Sequence, residues 1–398
     1  MQIPGPWRRA AAGAGLLVAD GSIASTIFAE MSALALATNA INLRQGFPDE
    51  DGPREVLDAA SEAIKNGQNQ YPPGIGIPQL RHAIADHQRR FYGLEYDPDR
   101  EVLVTAGATE ALAATLLALV EPGDEVVTFE PFYDAYGALI GLAGGTHVTV
   151  QLRAPDFTPD LDELTAKVTD KTKVILVNNP HNPTGATFDE QTLRTIVELA
   201  ERHGAYIVTD EVYEHLRFET PHTPIASIPG ASDRTISISS GGKTFATTGW
   251  KIGWVMAKPE LITAILAVKQ FLTYVNGAPF QPAIAVGLGL PDTFFETAAA
   301  TLKAKRDLLS AGLSTAGFDV FPSRGSYFVV ADAAPLGFPD AVEFCRELPH
   351  RAGVVAIPLS AFYSDANRHQ ARSLVRFAFC KKVDVLERAS AQLAGITR

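Results

Sequence analysis

The chain has 398 residues, of which 46% are hydrophobic, and this length exceeds what one hydrophobic core usually supports, so two lobes are predicted. Its formal net charge of −11 and pI near 5.3 argue against nucleic acid or an anionic membrane as partners, because both attract excess Lys and Arg. No apolar run reaches the roughly 20 residues that span a bilayer. We therefore expect a globular protein that binds a small molecule.

The N-terminus has the outline of a signal peptide, since Arg8 and Arg9 precede a short apolar stretch. Gly13 and Gly15 interrupt that stretch, and no clean small-residue cleavage pattern follows it. We expect residues 1–24 to be an unstructured extension. The chain has only 2 cysteines, which favours a reducing cytoplasm and gives no support for a metal site.

From about Val102 onward, short runs rich in Val, Ile and Thr alternate with segments of helical period, as in βα units around a mostly parallel sheet. After about Pro291 the pattern changes to a long helix, strand-like pieces and a final helix. We predict a large α/β domain over residues 61–291 and a smaller α+β domain from residues 25–60 and 292–398. The predicted strands of the large domain are Val102–Thr105, Glu125–Phe129, Val174–Val177, Ala205–Thr209 and Thr235–Ser239, with helices over Thr109–Leu119 and Asp189–His203.

Residues suited to catalysis or to ligand binding follow these strands, just past their carboxyl ends. They are Gly107 to Thr109, Tyr133, Asn182, Asp210 and Lys243. Ligands of open parallel sheets bind at that edge. The sequence therefore predicts one binding site built from several strands.

Nucleotide-binding motifs do not explain this site. Neither Gly13-Ala14-Gly15 nor Gly74-Ile75-Gly76 has the third glycine or the preceding strand of a dinucleotide-binding turn. Gly242-Lys243-Thr244 is similar to the end of a phosphate-binding P-loop, but Ser237 stands where that motif requires glycine.

Two neighbouring segments resemble the signature of a known protein family. Ser240-Gly241-Gly242-Lys243, followed by Thr248-Gly249-Trp250-Lys251-Ile252-Gly253, resembles the lysine signature of class I/II aminotransferases, the fold-type I enzymes that depend on pyridoxal 5'-phosphate (PLP). Further motifs of that family follow in its order: Gln45 to Asp49, Asn179 to Gly185, Thr209 to Tyr213, and Arg376-Phe377. The resemblance covers the chain after Ser25 and implies a fold-type I α/β architecture.

The resemblance also implies roles for the residues at the strand ends. Lys243 would hold PLP as a Schiff base and then move a proton between the substrate and the cofactor. Asp210 would pair with the protonated pyridine nitrogen, although an aspartate there could instead cap the next helix. Tyr213 and Asn182 would hydrogen-bond the 3'-oxygen of the cofactor, while an Asn-Pro turn alone would explain Asn182.

Other matching positions would hold the phosphate, the ring or the substrate. Gly107, Ala108, Thr109, Ser240 and Lys251 would bind the phosphate, and Tyr133 would stack on the ring. Arg376 would clamp the substrate α-carboxylate with help from Gly46, and Phe28 would line the pocket. Tyr71 would reach the phosphate of a neighbouring subunit, so the resemblance implies a homodimer with shared active sites.

The substrate is the least determined feature. Gln70 to Gly74 and Gly277 to Pro282 resemble actinobacterial N-succinyldiaminopimelate aminotransferases, whereas Gly46 to Asp49 and Gly353 to Pro358 resemble kynurenine and glutamine transaminases. Because Gly277 and Ala278 are small, we favour a wide mouth and N-succinyl-LL-2,6-diaminopimelate as donor, with 2-oxoglutarate as acceptor. A kynurenine-, glutamine- or methionine-type aminotransferase and a carbon-sulfur β-lyase are the alternatives.

One residue departs from the family pattern. Related sequences typically read Asn-Leu-Gly-Gln-Gly where this chain has Arg44 in place of the first glycine. If its side chain points inward, it adds positive charge near the substrate.

Overall fold

The computed structural model describes residues 3–396, and its strands form three sheets. The strands are β1 (Ile41–Asn42), β2 (Val102–Ala106), β3 (Glu125–Glu130), β4 (Thr146–Arg153), β5 (Thr158–Pro159), β6 (Thr172–Asn178), β7 (Tyr206–Asp210), β8 (Thr235–Ser240), β9 (Ile252–Met256), β10 (Asp319–Val320), β11 (Phe328–Asp332), β12 (Val354–Val355), β13 (Ile357–Pro358) and β14 (Leu374–Ala378). Their positions confirm the predicted alternation in the middle of the chain.

The helices surround these sheets. They are α1 (Trp7–Gly13), α2 (Ile27–Thr38), α3 (Arg54–Lys65), α4 (Pro78–Tyr92), α5 (Gly107–Leu119), α6 (Ala135–Ala143), α7 (Leu161–Lys167), α8 (Glu190–His203), α9 (Gly241–Thr244), α10 (Pro259–Lys269), α11 (Phe280–Leu288), α12 (Asp292–Thr315), α13 (Ala341–Ala352) and α14 (Val383–Leu393). Local chemistry sets several of the ends. For example, the Asp189 side chain accepts a hydrogen bond from Thr192 N at the start of α8, and Gly204 ends that helix with φ +68°.

The large sheet has the order β2-β9-β8-β7-β6-β3-β4-β5. The neighbours from β8 through β4 run parallel, whereas β9 is antiparallel to both β2 and β8. Apolar side chains of alternating strand positions enter separate cores on the two faces, as Val208 and Ile207 do. Burial of both faces explains why these strands read as nearly continuous apolar runs, and it confirms the mostly parallel α/β sheet.

A second sheet, β10-β11-β14-β13, is antiparallel and packs against α12, α13 and α14. In it Val330 pairs with Arg376, so Arg376 lies in the middle of the sheet. The short strand β1 pairs in parallel with β12 and brings the segment after Asn42 beside this sheet. Residues 44–46 therefore lie close to Arg376.

The expectation of an unstructured N-terminal extension was wrong for the helical part of that segment. Helix α1 packs against α6 through glycines, and the Nε of Arg9 donates to the carbonyl of Gly141 over 3.2 Å. A Cβ on Gly13 would lie 2.0 Å from the carbonyl oxygen of Gly137, so only glycine allows this approach. Residues 1 and 2 of the predicted extension lie outside the described residues. Among residues 3–396, no helix combines the length and the apolarity that crossing a membrane requires.

Candidate active site

The carboxyl ends of the large-sheet strands surround a cleft of about 750 Å³. It lies where β2 passes into α5, β8 passes into α9, and β7 ends at Asp210. The structure brings most of the predicted site residues to this one cleft. They are Gly107, Ala108, Thr109, Tyr133, Asn182, Asp210, Tyr213, Ser240, Lys243 and Lys251.

Lys243 lies on the single turn α9, and its Nζ donates to the carbonyl oxygen of Gly46 over 3.1 Å. The rings of Tyr213 and Tyr327 lie 5.7 and 5.6 Å from that nitrogen. Burial lowers the pKa of the Lys243 amine, since it disfavours the charged form. A neutral fraction of this amine is what a nucleophile or a base requires.

The glycine before this turn has a packing role. A Cβ on Gly241 would lie 2.7 Å from the Cδ1 of Ile284 on α11. The glycine thus allows α11 to approach the start of α9 closely.

Asp210 is the last residue of β7, and only 5% of it is exposed. The hydroxyl of Tyr136 donates to its Oδ2 over 2.8 Å, and the backbone N–H of Val212 approaches its Oδ1 at 3.4 Å. Burial raises the pKa of this carboxyl group to about 6. No Lys or Arg of residues 3–396 lies within 4.0 Å of it, so the carboxylate lacks a cationic partner.

Arg376 lies on β14 behind the cleft-lining residue Asn182 and is 4% exposed. Its Nη1 donates to the Asn182 Oδ1 and its Nη2 to the carbonyl oxygen of Arg44, each over 3.0 Å. The rings of Phe328 and Phe362 lie 3.9 and 4.4 Å from its Cζ. Burial lowers its pKa to about 9, and its Nε has no hydrogen-bond partner among the described residues. A buried guanidinium without a carboxylate is suited to a carboxylate ligand.

A protein-family model described as aminotransferase class I and II matches residues 38–393. The chain belongs to this family. It is accordingly an aminotransferase that uses PLP.

Individual relatives cover nearly the whole chain. The probable N-succinyldiaminopimelate aminotransferase DapC of Mycobacterium tuberculosis H37Rv is 50% identical over an alignment of 381 residues that covers 93% of this chain and 96% of that protein. The methionine aminotransferase of Escherichia coli K12 is 38% identical over 93% of this chain and 96% of its own length. Kynurenine–oxoglutarate transaminase 3 of Mus musculus is 35% identical over 92% of this chain and 86% of its own length. The solved structure of the M. tuberculosis N-succinyldiaminopimelate aminotransferase superposes with a TM-score of 0.90 at 51% identity, covering 93% of this chain and 97% of that one.

The cleft of this aminotransferase fits PLP at both ends of the cofactor. The first N–H groups of a helix have no partner within the helix, so the start of α5 is suited to an anion such as a phosphate. Gly107 has φ +74°, which favours glycine, and a Cβ there would lie only 3.2 Å from the Cε of Lys251, so the glycine lets the Lys251 side chain lie close to the start of α5. The unpaired carboxylate of Asp210 suits a protonated pyridine nitrogen.

Four predicted site residues lie outside the lining of the cleft. Gly46 and Arg376 lie behind the cleft and are hydrogen-bonded to two residues that line it, Gly46 to Lys243 and Arg376 to Asn182. Phe28 lines an adjoining cleft that also contains Tyr133, which we call the entrance cleft. Tyr71 is 81% exposed and lies apart from both clefts, with its ring edge-on to Tyr274 at 5.6 Å.

Sequence reasoning missed several residues that support the site. Tyr136 binds Asp210, Tyr327 donates its hydroxyl to the carbonyl oxygen of Lys243, and Phe328 and Phe362 enclose Arg376. Tyr136 lies in the first turn of α6, close in sequence to the predicted residue Tyr133, but no pattern in the chain indicates that it binds Asp210. The aromatic partners of Arg376 come from distant segments, and no local pattern indicates them.

His87, Glu214 and His215 form the one group among the described residues whose donor atoms lie close enough together to suggest a metal ion. The Nε2 atoms of the two histidines are 2.7 Å apart, whereas two zinc ligands in tetrahedral geometry lie roughly 3.3 Å apart. Burial lowers the pKa of His87 to about 3, so its ring is neutral. We interpret the pair as hydrogen-bonded neutral imidazoles beside a carboxylate.

Proposed function

We propose that this aminotransferase transfers the amino group of N-succinyl-LL-2,6-diaminopimelate to 2-oxoglutarate, a step of lysine biosynthesis. The observation that carries the proposal is the 50% identity to the M. tuberculosis DapC over 93% of this chain. The small residues Gly277 and Ala278 are compatible with a long donor.

Bound PLP supplies a ring that accepts electrons from the substrate α-carbon. Lys243 would hold the cofactor covalently, and its amine, once displaced by the amino group of the substrate, would take the proton from that α-carbon. Burial keeps part of the amine neutral, as both roles demand. The contact between its Nζ and the carbonyl oxygen of Gly46 keeps the amine beside the loop that meets the substrate carboxylate.

Asp210 would stabilise the protonated pyridine nitrogen, and the hydroxyl of Tyr136 would hold the carboxylate in place. A buried carboxylate acts strongly on a nearby cation because little water screens it. Tyr213, with Asn182, would donate to the 3'-oxygen of the ring. Tyr133 would stack on the ring face.

The phosphate would be held by backbone N–H groups of Gly107, Ala108 and Thr109 at the start of α5, with the hydroxyl of Ser240 and the amine of Lys251. No carboxylate of residues 3–396 lies within 4.0 Å of the Lys251 amine, so its charge is free for an anion. These groups would keep the cofactor in place when the bond to Lys243 is exchanged.

Arg376 would bind the substrate α-carboxylate as a planar fork. The two aromatic rings fix the plane of its guanidinium, and Asn182 and the Arg44 carbonyl fix its rotation. Gly46 would add backbone contact, and a Cβ there would lie 2.2 Å from the Cζ of Phe328, so glycine is required. Phe28 would border the substrate side chain in the entrance cleft.

A methionine-type activity is the second candidate, because the E. coli methionine aminotransferase is 38% identical over nearly the whole chain. A carbon-sulfur β-lyase shares the early chemistry. It differs in product, since a lyase releases pyruvate and ammonia without an oxo-acid acceptor.

A side-by-side donor panel tests the substrate. The purified enzyme should give a higher kcat/KM with N-succinyl-LL-2,6-diaminopimelate and 2-oxoglutarate than with methionine, kynurenine or glutamine. Lys243→Ala, which removes the amine, is the control and should lose activity with every donor, on the order of 10⁴-fold or more. A clear preference for methionine or kynurenine, with the succinylated donor inert, would contradict the donor assignment.

We further propose a homodimer located in the cytoplasm. An exposed apolar patch supports the dimer: Tyr71, Phe271, Leu272 and Tyr274 are 81%, 84%, 47% and 47% exposed. The patch comes from two segments of the chain, one with Tyr71 and one with Phe271 to Tyr274. Lys269 connects them, since its Nζ donates to the carbonyl oxygens of both Gly74 and Tyr274. The cysteines are free and buried, which is compatible with a reducing compartment.

A further inference from the structure

Arg44 carries a buried positive charge without a partner. It is 5% exposed, and its side chain has one hydrogen bond, from Nη2 to the Ser32 Oγ over 2.7 Å. Its Nε has no acceptor, and no carboxylate among residues 3–396 lies within 4.0 Å of the guanidinium. A buried cation of this kind is unfavourable unless an anion in its neighbourhood compensates it.

The position of Arg44 joins this charge to the carboxylate clamp. The Arg44 carbonyl oxygen accepts the hydrogen bond from the Arg376 Nη2, and Gly46, two residues later, contacts Lys243. The charge of Arg44 also contributes to lowering the pKa of Arg376 and of Lys381, so its field reaches both groups. An anion bound at Arg376 lies in that field.

A hydrogen-bond chain links Arg44 to the wall of the entrance cleft. The hydroxyl of Ser32, which accepts from Arg44, donates to the carbonyl oxygen of Phe28 over 2.7 Å. Phe28 lies in the first turn of α2, whose start lines the entrance cleft together with Thr26 and Ile27. Arg44 is therefore joined by hydrogen bonds to the start of α2, which lines the entrance cleft beside the carboxylates of Asp134 and Glu30, the second of which pairs with Arg346.

We propose that Arg44 is a specificity-determining residue that favours substrates with a second carboxylate, through its field and without touching them. The inference rests on the proposed binding of the substrate α-carboxylate at Arg376. The interaction energy of an ion with a fixed charge scales with the charge of the ion. A dicarboxylate consequently gains more than a monocarboxylate of similar length, and an acceptor such as 2-oxoglutarate is selected over a monocarboxylic oxo acid.

A purely structural role would give a different pattern. If Arg44 only joined α2 to the loop through Ser32, its loss would shift the loop and weaken all carboxylates equally. Arg44→Gln removes the charge and keeps a hydrogen-bond donor, whereas Arg44→Lys keeps the charge. Arg194→Gln removes an exposed arginine that pairs with Glu190 on α8, and it serves as the control for charge loss far from the cleft.

The experiment measures dissociation constants of glutarate and butyrate for the resting holoenzyme from the visible absorbance of its cofactor, and kcat/KM for 2-oxoglutarate and pyruvate. In Arg44→Gln we expect butyrate to bind about threefold more weakly and glutarate up to about tenfold more weakly, because its second carboxylate adds an interaction with the same charge. The kcat/KM for 2-oxoglutarate should fall more than that for pyruvate, mainly through KM. Arg44→Lys should restore the ratios, and Arg194→Gln should leave them unchanged.

Equal losses for glutarate and butyrate, or no loss, would overturn the inference. The inhibitor measurements do not depend on the amino donor. If the succinylated donor proves inert in the donor panel while the glutarate-to-butyrate ratio still changes in Arg44→Gln, the donor assignment fails and the role of Arg44 stands.

Discussion

At the scale of single residues, the cleft and its immediate surroundings contain charges that the folded protein alone does not balance. Asp210 has a carboxylate without a cation, and Arg376 and Arg44 have guanidiniums without carboxylates. Each arrangement lowers the stability of the empty protein. Each also favours the binding of a charged ligand, since a bound cation or anion compensates the solvation free energy that the buried charge has lost.

Asp210→Asn should raise the stability of the cofactor-stripped protein at neutral pH. The folded-state pKa of about 6 lies above the ordinary aspartate value of 3.8, so the wild-type penalty is absent below about pH 4, grows between the two values, and is complete above about pH 6. By linkage the shift corresponds to about 3 kcal/mol, and we expect a gain of roughly 1–3 kcal/mol in the free energy of unfolding.

Urea unfolding of both proteins across this pH range checks the prediction. The difference between them should shrink as the pH falls towards 4. A constant difference, or a less stable variant at neutral pH, would show that the carboxylate is already compensated in the folded protein.

At the scale of elements, the sequence predicted what depends on short-range pattern. The buried strands, α8 and the long helix α12 follow from apolar periodicity, and the placement of Asp210 and Lys243 follows from the strand ends. The partners of these residues, such as Tyr136 and Phe328, depend on packing between distant segments and could not be read from the chain. The domain limits at residues 60 and 292 stay a prediction.

Helix α1 is the clearest element that local pattern did not reveal. Its short apolar stretch interrupted by glycines indicated no helix, whereas in the structure those glycines make the contact with α6. Because a Cβ on Gly137 would lie 2.2 Å from the carbonyl oxygen of Gly13, we expect Gly137→Ala to displace α1. Trypsin should then cut at Arg8 and Arg9 at least severalfold faster.

Limited proteolysis followed by mass spectrometry measures that cleavage. Gly249→Ala is the matched control, because a Cβ there would meet nothing within 4 Å. Unchanged cleavage in Gly137→Ala would mean that α1 does not depend on this close contact.

At the scale of the whole molecule, the described chain leaves an apolar surface uncovered beside a predicted site residue. Tyr71 and Phe271 are more than four-fifths exposed, at 81% and 84%, and large exposed apolar patches mark interaction surfaces. If a second copy covers this patch, Tyr71 is brought to the neighbouring phosphate site, and each active site needs both chains. Sedimentation should then show a dimer at all concentrations where the enzyme is active.

Mixing two inactive variants tests the shared site directly. Tyr71→Ala removes the residue donated to the partner, and Lys243→Ala removes the residue of the chain's own site, so a mixed dimer keeps one complete site. After unfolding and refolding together, equal amounts of the two should recover about a quarter of the wild-type activity, because half of the dimers are mixed and each has one working site. Each variant refolded alone should stay nearly inactive. Recovery no greater than the sum of the separate variants, or full activity in a monomer, would show that Tyr71 serves its own chain and that the patch has another use.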